Sequence, residues 1–277
     1  MSPTSLTDLS RLCLHTITTK PWNIDQAARH YASVGVKGIT VWRDALTGRN
    51  IAHTGQMLRD HGLTIVSLCR GGFFASKDRN KRQEALDDNR KAVAEAFELG
   101  TKRIILVCGA DPRQSMEESR KQIYDGIASV IPEAATAGVR LAIEPLHPMY
   151  ANTRSAINTL KQANDMAEAL NSSSVGVAVD VYHLWWDPDL EREIARSGRQ
   201  GFLLAFHISD WKSPTTDLLN DRGLMGEGCI PLRKIRAWVE SAGFSGFIEV
   251  EIFSNTYWQE DQPEFLHRII VSYRDYT

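Results

Sequence analysis

Five times along this chain an amphipathic stretch ends in a glycine, and a run of β-branched and apolar residues begins within a few positions. The junctions are SVG-VKGITVW at Gly35, DHG-LTIVSLC at Gly62, ELG-TKRIILVC at Gly100, TAG-VRLAIEP at Gly138 and SAG-FSGFIEVEIF at Gly243. Glycine just past a helix end takes the left-handed conformation without a Cβ penalty. A strand that starts so soon afterwards matches the short helix-to-strand loops of α/β proteins. Carried along the whole chain, the rhythm predicts eight strands, at about 11–17, 36–42, 63–70, 102–108, 139–145, 175–181, 202–209 and 247–253. Helical patterns fall between and after them, at about 24–34, 50–61, 81–99, 115–137, 155–170, 188–197, 231–242 and 262–273. Their apolar residues recur at spacings of three and four, as in Val93, Ala96 and Phe97. Strict β-then-α alternation requires a parallel sheet with right-handed crossovers. Eight units with no spare sequence predict one closed (β/α)8 barrel over 1–277, a fold that typically takes about 250 residues. An open doubly wound sheet is the alternative. No GxGxxG follows the first strand, which removes the dinucleotide-binding form of that sheet.

Charge and composition bear on function more than on fold. The chain has 32 basic and 34 acidic residues, a net charge of −2, so nothing electrostatic calls for nucleic acid or an anionic membrane as partner. No apolar run approaches the ~20 residues of a membrane span. The opening MSPTSLTDLS lacks the basic-then-apolar layout of a secretion signal. Cys13, Cys69, Cys108 and Cys229 show no CxxC spacing, and three of them sit in apolar runs. Buried free thiols in a reducing, cytoplasmic setting are expected.

In such a barrel the active site lies at the C-terminal ends of the strands. The eight ends here are His15; Trp42-Arg43-Asp44; Cys69-Arg70-Gly71-Gly72; Cys108-Gly109; Glu144-Pro145-Leu146-His147; Asp180-Val181-Tyr182-His183; His207-Ile208-Ser209-Asp210; and Glu251. Four of these residues interrupt apolar runs: Glu144, Asp180, His207 and Glu251. A charged group in such a run faces a steep desolvation cost unless it is paired or metal-bound. Alternation along the last strand sends Ile248, Val250 and Ile252 to the helix side, and Glu249 and Glu251 into the barrel, with Glu251 nearer the mouth. Singly, each has an ordinary explanation, an ion-pair partner for a glutamate or a satisfied core group for a histidine. Together they predict one divalent metal ion on Glu144, Asp180, His207 and Glu251. Three carboxylates with one imidazole suit Mn²⁺, Mg²⁺, Co²⁺ or Fe²⁺ better than a structural Zn²⁺, though Zn²⁺ fits the donor set too.

LAIEP, VAVDVYH, FHISD and GFIEVE, in this order between Val139 and Phe253, resemble the xylose-isomerase-like TIM-barrel superfamily, the sugar phosphate isomerase/epimerase group. The resemblance implies an α/β TIM barrel. It implies a Glu, Asp, His, Glu set on one divalent ion, Mn²⁺ first among the choices, at Glu144, Asp180, His207 and Glu251. It also implies an enzyme that removes a proton next to the carbonyl of a keto sugar or polyol derivative, with Glu144 and Glu251 as the acid/base pair. His183, three residues after Asp180, matches a substrate-contacting histidine of the ketose 3-epimerases. Those enzymes also carry a second glutamate six residues after the first and an arginine six residues after the strand-7 histidine. Here these positions are Tyr150 and Ser213, and the nearest downstream arginine is Arg222. The strand-5 loop instead offers His147, a residue type that can act as acid or base near neutral pH; its ordinary role would be to cap the loop or orient Glu144. A histidine there resembles the catalytic subunit of C-glycoside deglycosylating enzymes, lyases that eliminate from 3-oxo-glycosides. The group's apurinic endonucleases need further histidines that strands 2–4 lack.

Remaining residues at the strand ends complete the expected pocket. His15, Trp42, Trp185, Trp211, Arg70 and His183 are candidate substrate contacts. An aromatic ring can stack on the C–H face of a sugar, and Arg70 can hold a hydroxyl or a phosphate. Trp186 and Trp258 also fall near strand ends. Gly71-Gly72 allow a sharp turn, Phe73-Phe74 a lid or subunit contact, and Gly226-Glu227-Gly228 a mobile cover or plain turn. His30, His53, His61 and His267 read as surface residues. Cys69 and Cys108 have no His–Asp pairing that would make either a nucleophile. The leading expectation is therefore a metal-dependent sugar isomerase or epimerase with a small-molecule carbohydrate substrate, and a lyase using His147 is the second. A non-catalytic sugar-binding barrel is the reading from another class. A second copy of the chain or a small partner subunit would be a further partner.

Overall fold

The eight predicted strands form, and they close. In a computed structural model that describes Leu6 and residues 8–277, the strands are β1 (Leu12–His15), β2 (Gly38–Trp42), β3 (Thr64–Gly72), β4 (Arg103–Val107), β5 (Arg140–Glu144), β6 (Val175–Asp180), β7 (Leu203–Ile208) and β8 (Ile248–Val250). All neighbours are parallel and follow chain order. The ring closes where Leu12, Cys13 and Leu14 of β1 face Ile248, Glu249 and Val250 of β8. Most of MSPTSLTDLS lies outside the described residues, so the expectation about its character is not tested there.

Local chemistry explains the element boundaries. All five junction glycines adopt positive φ, for example 88° at Gly100 and 65° at Gly138. Side chains of Asn23, Asn50, Asp78, Ser115, Thr159 and Asp261 accept a backbone N–H at helix starts, satisfying donors that have no intrahelical partner. The predicted helix at 155–170 starts later, at Leu160, and runs to Leu170. Its first residues are spent otherwise: Asn158 bonds the Leu146 and Ser155 carbonyls, and Thr159 caps. Two elements in loops carried no periodic signal. A helical turn, Val181–Leu184, follows β6 directly, and Asp210–Trp211 pairs antiparallel with Arg222–Gly223. No helix among the described residues is long and apolar enough to cross a membrane.

The alternation read from β8 holds. Ile248, Val250 and Ile252 join the large apolar core under the helices, while Glu249 is fully buried on the other face. Inside the ring a small cluster of Cys69, Ile105, Ala142, Ala178, Leu204 and Ala205 fills the space. Barrel interiors usually hold bulky branched residues. The alanines on β5, β6 and β7 leave room beneath the mouth for Glu249 and the imidazoles of His15 and His207, whose centroids are 4.7 Å apart.

Candidate functional site

Glu144 and Asp180 end β5 and β6, His207 is the last residue but one of β7, and Glu251 follows β8. Each offers one ligand atom such that all four atoms lie within 4.8 Å of one another, and all four residues are buried. Two of those side chains are orphaned. Glu144 Oε1 and His207 Nδ1 stand 3.0 Å apart, yet neither has a partner in hydrogen-bond geometry. Buried polar atoms are normally satisfied. An imidazole nitrogen and a carboxylate oxygen turned to one point without bonding each other fit a shared cation, so the donor set passes this test.

Below this layer lies a second set of charges. His15 Nδ1 is 2.9 Å from Glu251 Oε1, and its Nε2 is 3.3 Å from Glu249 Oε2. His207 Nε2 lies 3.7 Å from the same Glu249 oxygen. Thr40 Oγ1 donates to Glu249 at 2.5 Å, and Arg103 approaches it at 3.6 Å from the opposite end of the barrel. Glu249 thus underlies both imidazoles. Burial works against its charge, but His207, His15 and Arg103 outweigh burial and hold its carboxyl down at about 2. Burial likewise opposes charge on His15; Glu251 and Glu249 overcome it and keep the imidazole well above its ordinary value.

An arginine from the loop after β7 also reaches the cluster. Arg222, paired with Trp211 in the short hairpin, is buried at the mouth. Its Nη1 donates to Asp180 Oδ2 at 3.2 Å and to Glu251 Oε2 at 2.8 Å; Nη2 lies 3.3 Å from His183 Nε2. The guanidinium rests 4.3 Å over the Tyr182 ring and 5.0 Å from that of Phe253. Glu251 feels burial first, but His15 and Arg222 hold it well below the carboxylate range. Burial, with Glu251 and Glu144 nearby, pushes Asp180 up against the pull of Arg222. Burial and Arg222 push His183 well below its usual value, so its ring is neutral at pH 7.

The predicted substrate contacts divide into two groups. His15, His183 and Trp42 touch the cluster or its partners; the Trp42 indole nitrogen is 3.3 Å from His15 Nδ1. Trp211, Trp185 and His147 form an aromatic wall beside it. Trp211 lies 4.8 Å from Tyr182, 5.7 Å from Trp185 and 5.0 Å from His147. His147 does not reach the four clustered residues. Its Nδ1 accepts from Met149 N at 3.2 Å, which caps the turn Pro148–Tyr150, and burial lowers its pKa. Arg70 is outside the cluster too, stacked 4.2 Å over Phe73.

Several ordinary readings need correction. Phe74 is core, not lid, because it packs on Gly126 of the helix Met116–Ala137. The Gly226-Glu227-Gly228 segment is tied down. Gly226 N donates to Asp210, and Glu227 accepts from Leu224 N, the Tyr257 hydroxyl and Arg268. His30 is half-buried and stacked 4.2 Å from Trp22, so it is no free surface group. Gly72, at φ 110°, does run where no Cβ would fit, because one would collide with the Val107 carbonyl. All four cysteines are free and only Cys229 is exposed; burial pushes the Cys69 thiol up to about 12.

A family model described as a xylose isomerase-like TIM barrel matches residues 28–269. The chain belongs to this family. It is 22% identical to an inosose isomerase of Bacillus velezensis over 260 residues, 90% of each chain. The crystal structure of protein SMc04130 from Sinorhizobium meliloti superposes with a TM-score of 0.93 at 44% identity, covering 97% of this chain and 98% of the other. A crystal structure of the IOLI protein with a bound zinc atom matches with a TM-score of 0.82 at 21% identity, covering 95% and 96%, and so shows the shared fold.

Arg222 and the role of Glu249 are what the sequence reading missed. For Glu249, alternation already put the side chain inside; its closeness to both histidines needed the closed ring. For Arg222 the signal was the arginine expected after strand 7, sought too early in a loop whose hairpin shifts it onward.

Proposed function

We propose that the chain is a divalent-metal-dependent sugar isomerase or epimerase that removes a proton next to the carbonyl of a keto sugar or polyol derivative. The observation that carries this reading is the buried convergence of Glu144, Asp180, His207 and Glu251, with Glu144 Oε1 and His207 Nδ1 left unbonded. Similarity to an inosose isomerase supports the substrate class. These four residues would hold the ion. When bound, the ion supplies Lewis-acid polarisation of a carbonyl and counter-charge for the enediolate. Any of Mn²⁺, Mg²⁺, Co²⁺, Fe²⁺ and Zn²⁺ suits the donors, with Mn²⁺ our first choice to test.

The protein's own groups do the proton work. Glu251 is kept ionised by His15 and Arg222 and takes the proton from carbon; Glu144, across the cluster, gives a proton of its own, so the two carboxyls end the turnover with their protonation exchanged. Delivery to the opposite face of the same carbon gives the epimer; delivery to the neighbouring carbon, with the hydroxyl proton passing from one enediolate oxygen to the other, gives the isomer. His183 Nδ1 and Trp185 Nε1 are buried without partners, so both can bond substrate hydroxyls. The aromatic wall excludes water from the enediolate.

Two measurements test this. Elemental analysis should find one divalent ion per wild-type chain and none in Glu251→Ala. NMR should show deuterium entering a keto sugar beside its carbonyl in D₂O with wild type and not with Glu251→Gln. No ion after incubation with Mn²⁺, Mg²⁺, Co²⁺ and Zn²⁺ would leave a sugar-binding barrel as the better account.

A further inference from the structure

Two guanidinium groups at the rim of the mouth have no task in the chemistry above. Arg70 lies in β3, two residues before its end, and Arg154 lies between the turn Pro148–Tyr150 and the helix Leu160–Leu170. Each lies against an aromatic ring: Arg70 Cζ is 4.2 Å from the Phe73 centroid and Arg154 Cζ 5.7 Å from that of Tyr150. Phe73 and Tyr150 belong to one apolar cluster with Val107 and Leu146. That cluster adjoins the metal ligands on two sides. Val107 is the register partner of Glu144, and the Tyr150 ring stands edge-on 5.8 Å from His183, whose Nε2 is 3.6 Å from Asp180. Both cations therefore sit on one wall that begins at Glu144 and Asp180.

Neither guanidinium donates a hydrogen bond or forms an ion pair with any described residue. Their neighbours differ. Arg43 binds both Asp88 and Glu95, and Arg222 binds Asp180 and Glu251. Arg70 and Arg154 are half-buried and near enough to interact: burial first, then the charge of Arg154, disfavours the charged form of Arg70. Two partly desolvated cations on one wall are unfavourable unless an anion joins them; Asp88 favours the charge on Arg70 only through space, because its carboxylate is taken by Arg43. Stacking occupies a face of each guanidinium plane and leaves the in-plane N–H fork open, the arrangement that binds phosphate or carboxylate oxygens in pairs.

We propose that Arg70 and Arg154 form an anion subsite on the rim of the mouth, which holds a phosphate or carboxylate group carried by the sugar substrate. This inference rests on the sugar isomerase or epimerase reading of the same mouth, and it narrows the substrate to an anionic keto sugar. The reacting carbonyl lies at the carboxylate cluster, and the anionic end lies against Phe73 and Tyr150.

The first experiment needs no turnover and no metal. Inorganic phosphate is titrated calorimetrically into metal-free protein. Wild type should bind it saturably, and Arg70→Gln or Arg154→Gln should each weaken binding roughly tenfold, the size of one lost charge-assisted contact. Arg70→Lys and Arg154→Lys, which keep the charge and lose the fork, should fall between. Arg140→Gln, at the opposite end of the barrel, is the control and should bind like wild type. No saturable binding, or equal binding by all variants, overturns the subsite. The second experiment compares a neutral ketopentose, its 5-phosphate and a ketohexuronate with the metal-loaded enzyme. A lower KM for one anionic sugar, lost in Arg70→Gln with kcat and metal content retained, supports the subsite and tells phosphate from carboxylate. Equal KM for the neutral and the anionic sugars, unchanged in Arg70→Gln and Arg154→Gln, overturns the subsite and leaves the isomerase reading intact. Loss of metal binding in wild type would instead count against that reading, and phosphate titration would still decide the subsite.

Discussion

The two halves of the barrel mouth are built from opposite chemistry. Strands β5 to β7 carry Glu144, Asp180 and His207 at or next to their ends, and Glu251 follows β8. Strands β2 to β4 present Trp42, Cys69 and Val107. The first half concentrates buried charge, and the second supplies apolar surface with Arg70 stacked on Phe73 at its rim. Nothing in the eightfold backbone requires this division. Parallel strands present their ends equivalently, so the asymmetry comes from side chains alone. Concentrating the carboxylates in adjacent strands lets Arg222, delivered by a single loop, neutralise Asp180 and Glu251 together. It also lets Glu249, one layer down, hold His15 and His207 at once.

The contrast can be broken most sharply at Arg222. Arg222→Met leaves Asp180 and Glu251 buried and unneutralised, and the cost of removing one partner of a buried ion pair is about 3–5 kcal/mol. Denaturant titration of the metal-free protein should show a loss of this size. Added Mn²⁺ should restore part of it, since a cation replaces the guanidinium. A variant as stable as wild type would mean that the charged half is not held by this arginine.

Glu249→Gln probes the lower layer. It keeps the shape and removes the charge beneath both imidazoles. Outer partners of metal ligands typically contribute about 10–100-fold in metal affinity. A metal-buffer titration should therefore show weakened binding, with the fold retained by circular dichroism. Unchanged affinity would reduce Glu249 to a packing residue.

The charged half should also give the metal-free protein a characteristic pH response. His15 has a raised pKa, so its stabilisation is complete below the unfolded value of about 6.5 and is lost as pH rises through the folded value. Asp180, raised to about 7, loses its contribution earlier, as pH rises from about 3.9 to about 7. Glu249 and Glu251 are depressed, so their stabilisation is present above about 4.3 and disappears as pH falls, toward about 2 for Glu249. Melting temperature in a chelator should therefore be highest between these limits. His15→Asn should flatten the alkaline limb, and a wild-type curve flat from pH 5 to 9 would contradict the assignment.

The smallest effects belong to the wall and the apolar half. His147→Ala removes a turn cap and an aromatic contact, so turnover should fall by less than about tenfold, below the usual span for a general acid or base. A larger loss would return His147 to the chemistry and favour elimination. Cys69, with its thiol pushed up to about 12, should resist alkylation at pH 8, and Cys229 should react first.

The amino-acid sequence by itself determined the strand order, the helix ends and the four clustered residues. Glycine at a helix end and charge inside an apolar run are local signals, legible without neighbours because backbone sterics and desolvation act on each residue where it stands. Hence β5 to β8 were placed within a few residues, and Glu144, Asp180, His207 and Glu251 stood out. What touches those residues was decided by closure of the ring and by loop conformation. Cys13 and Glu249 become neighbours only because β1 pairs with β8, across most of the chain. Arg222 enters the mouth because Asp210–Trp211 pairs with Arg222–Gly223, and His147 turns to Met149 N because Pro148 opens a turn. Loops have no period to read, and a long side chain takes its direction from whatever charge the tertiary structure brings within reach.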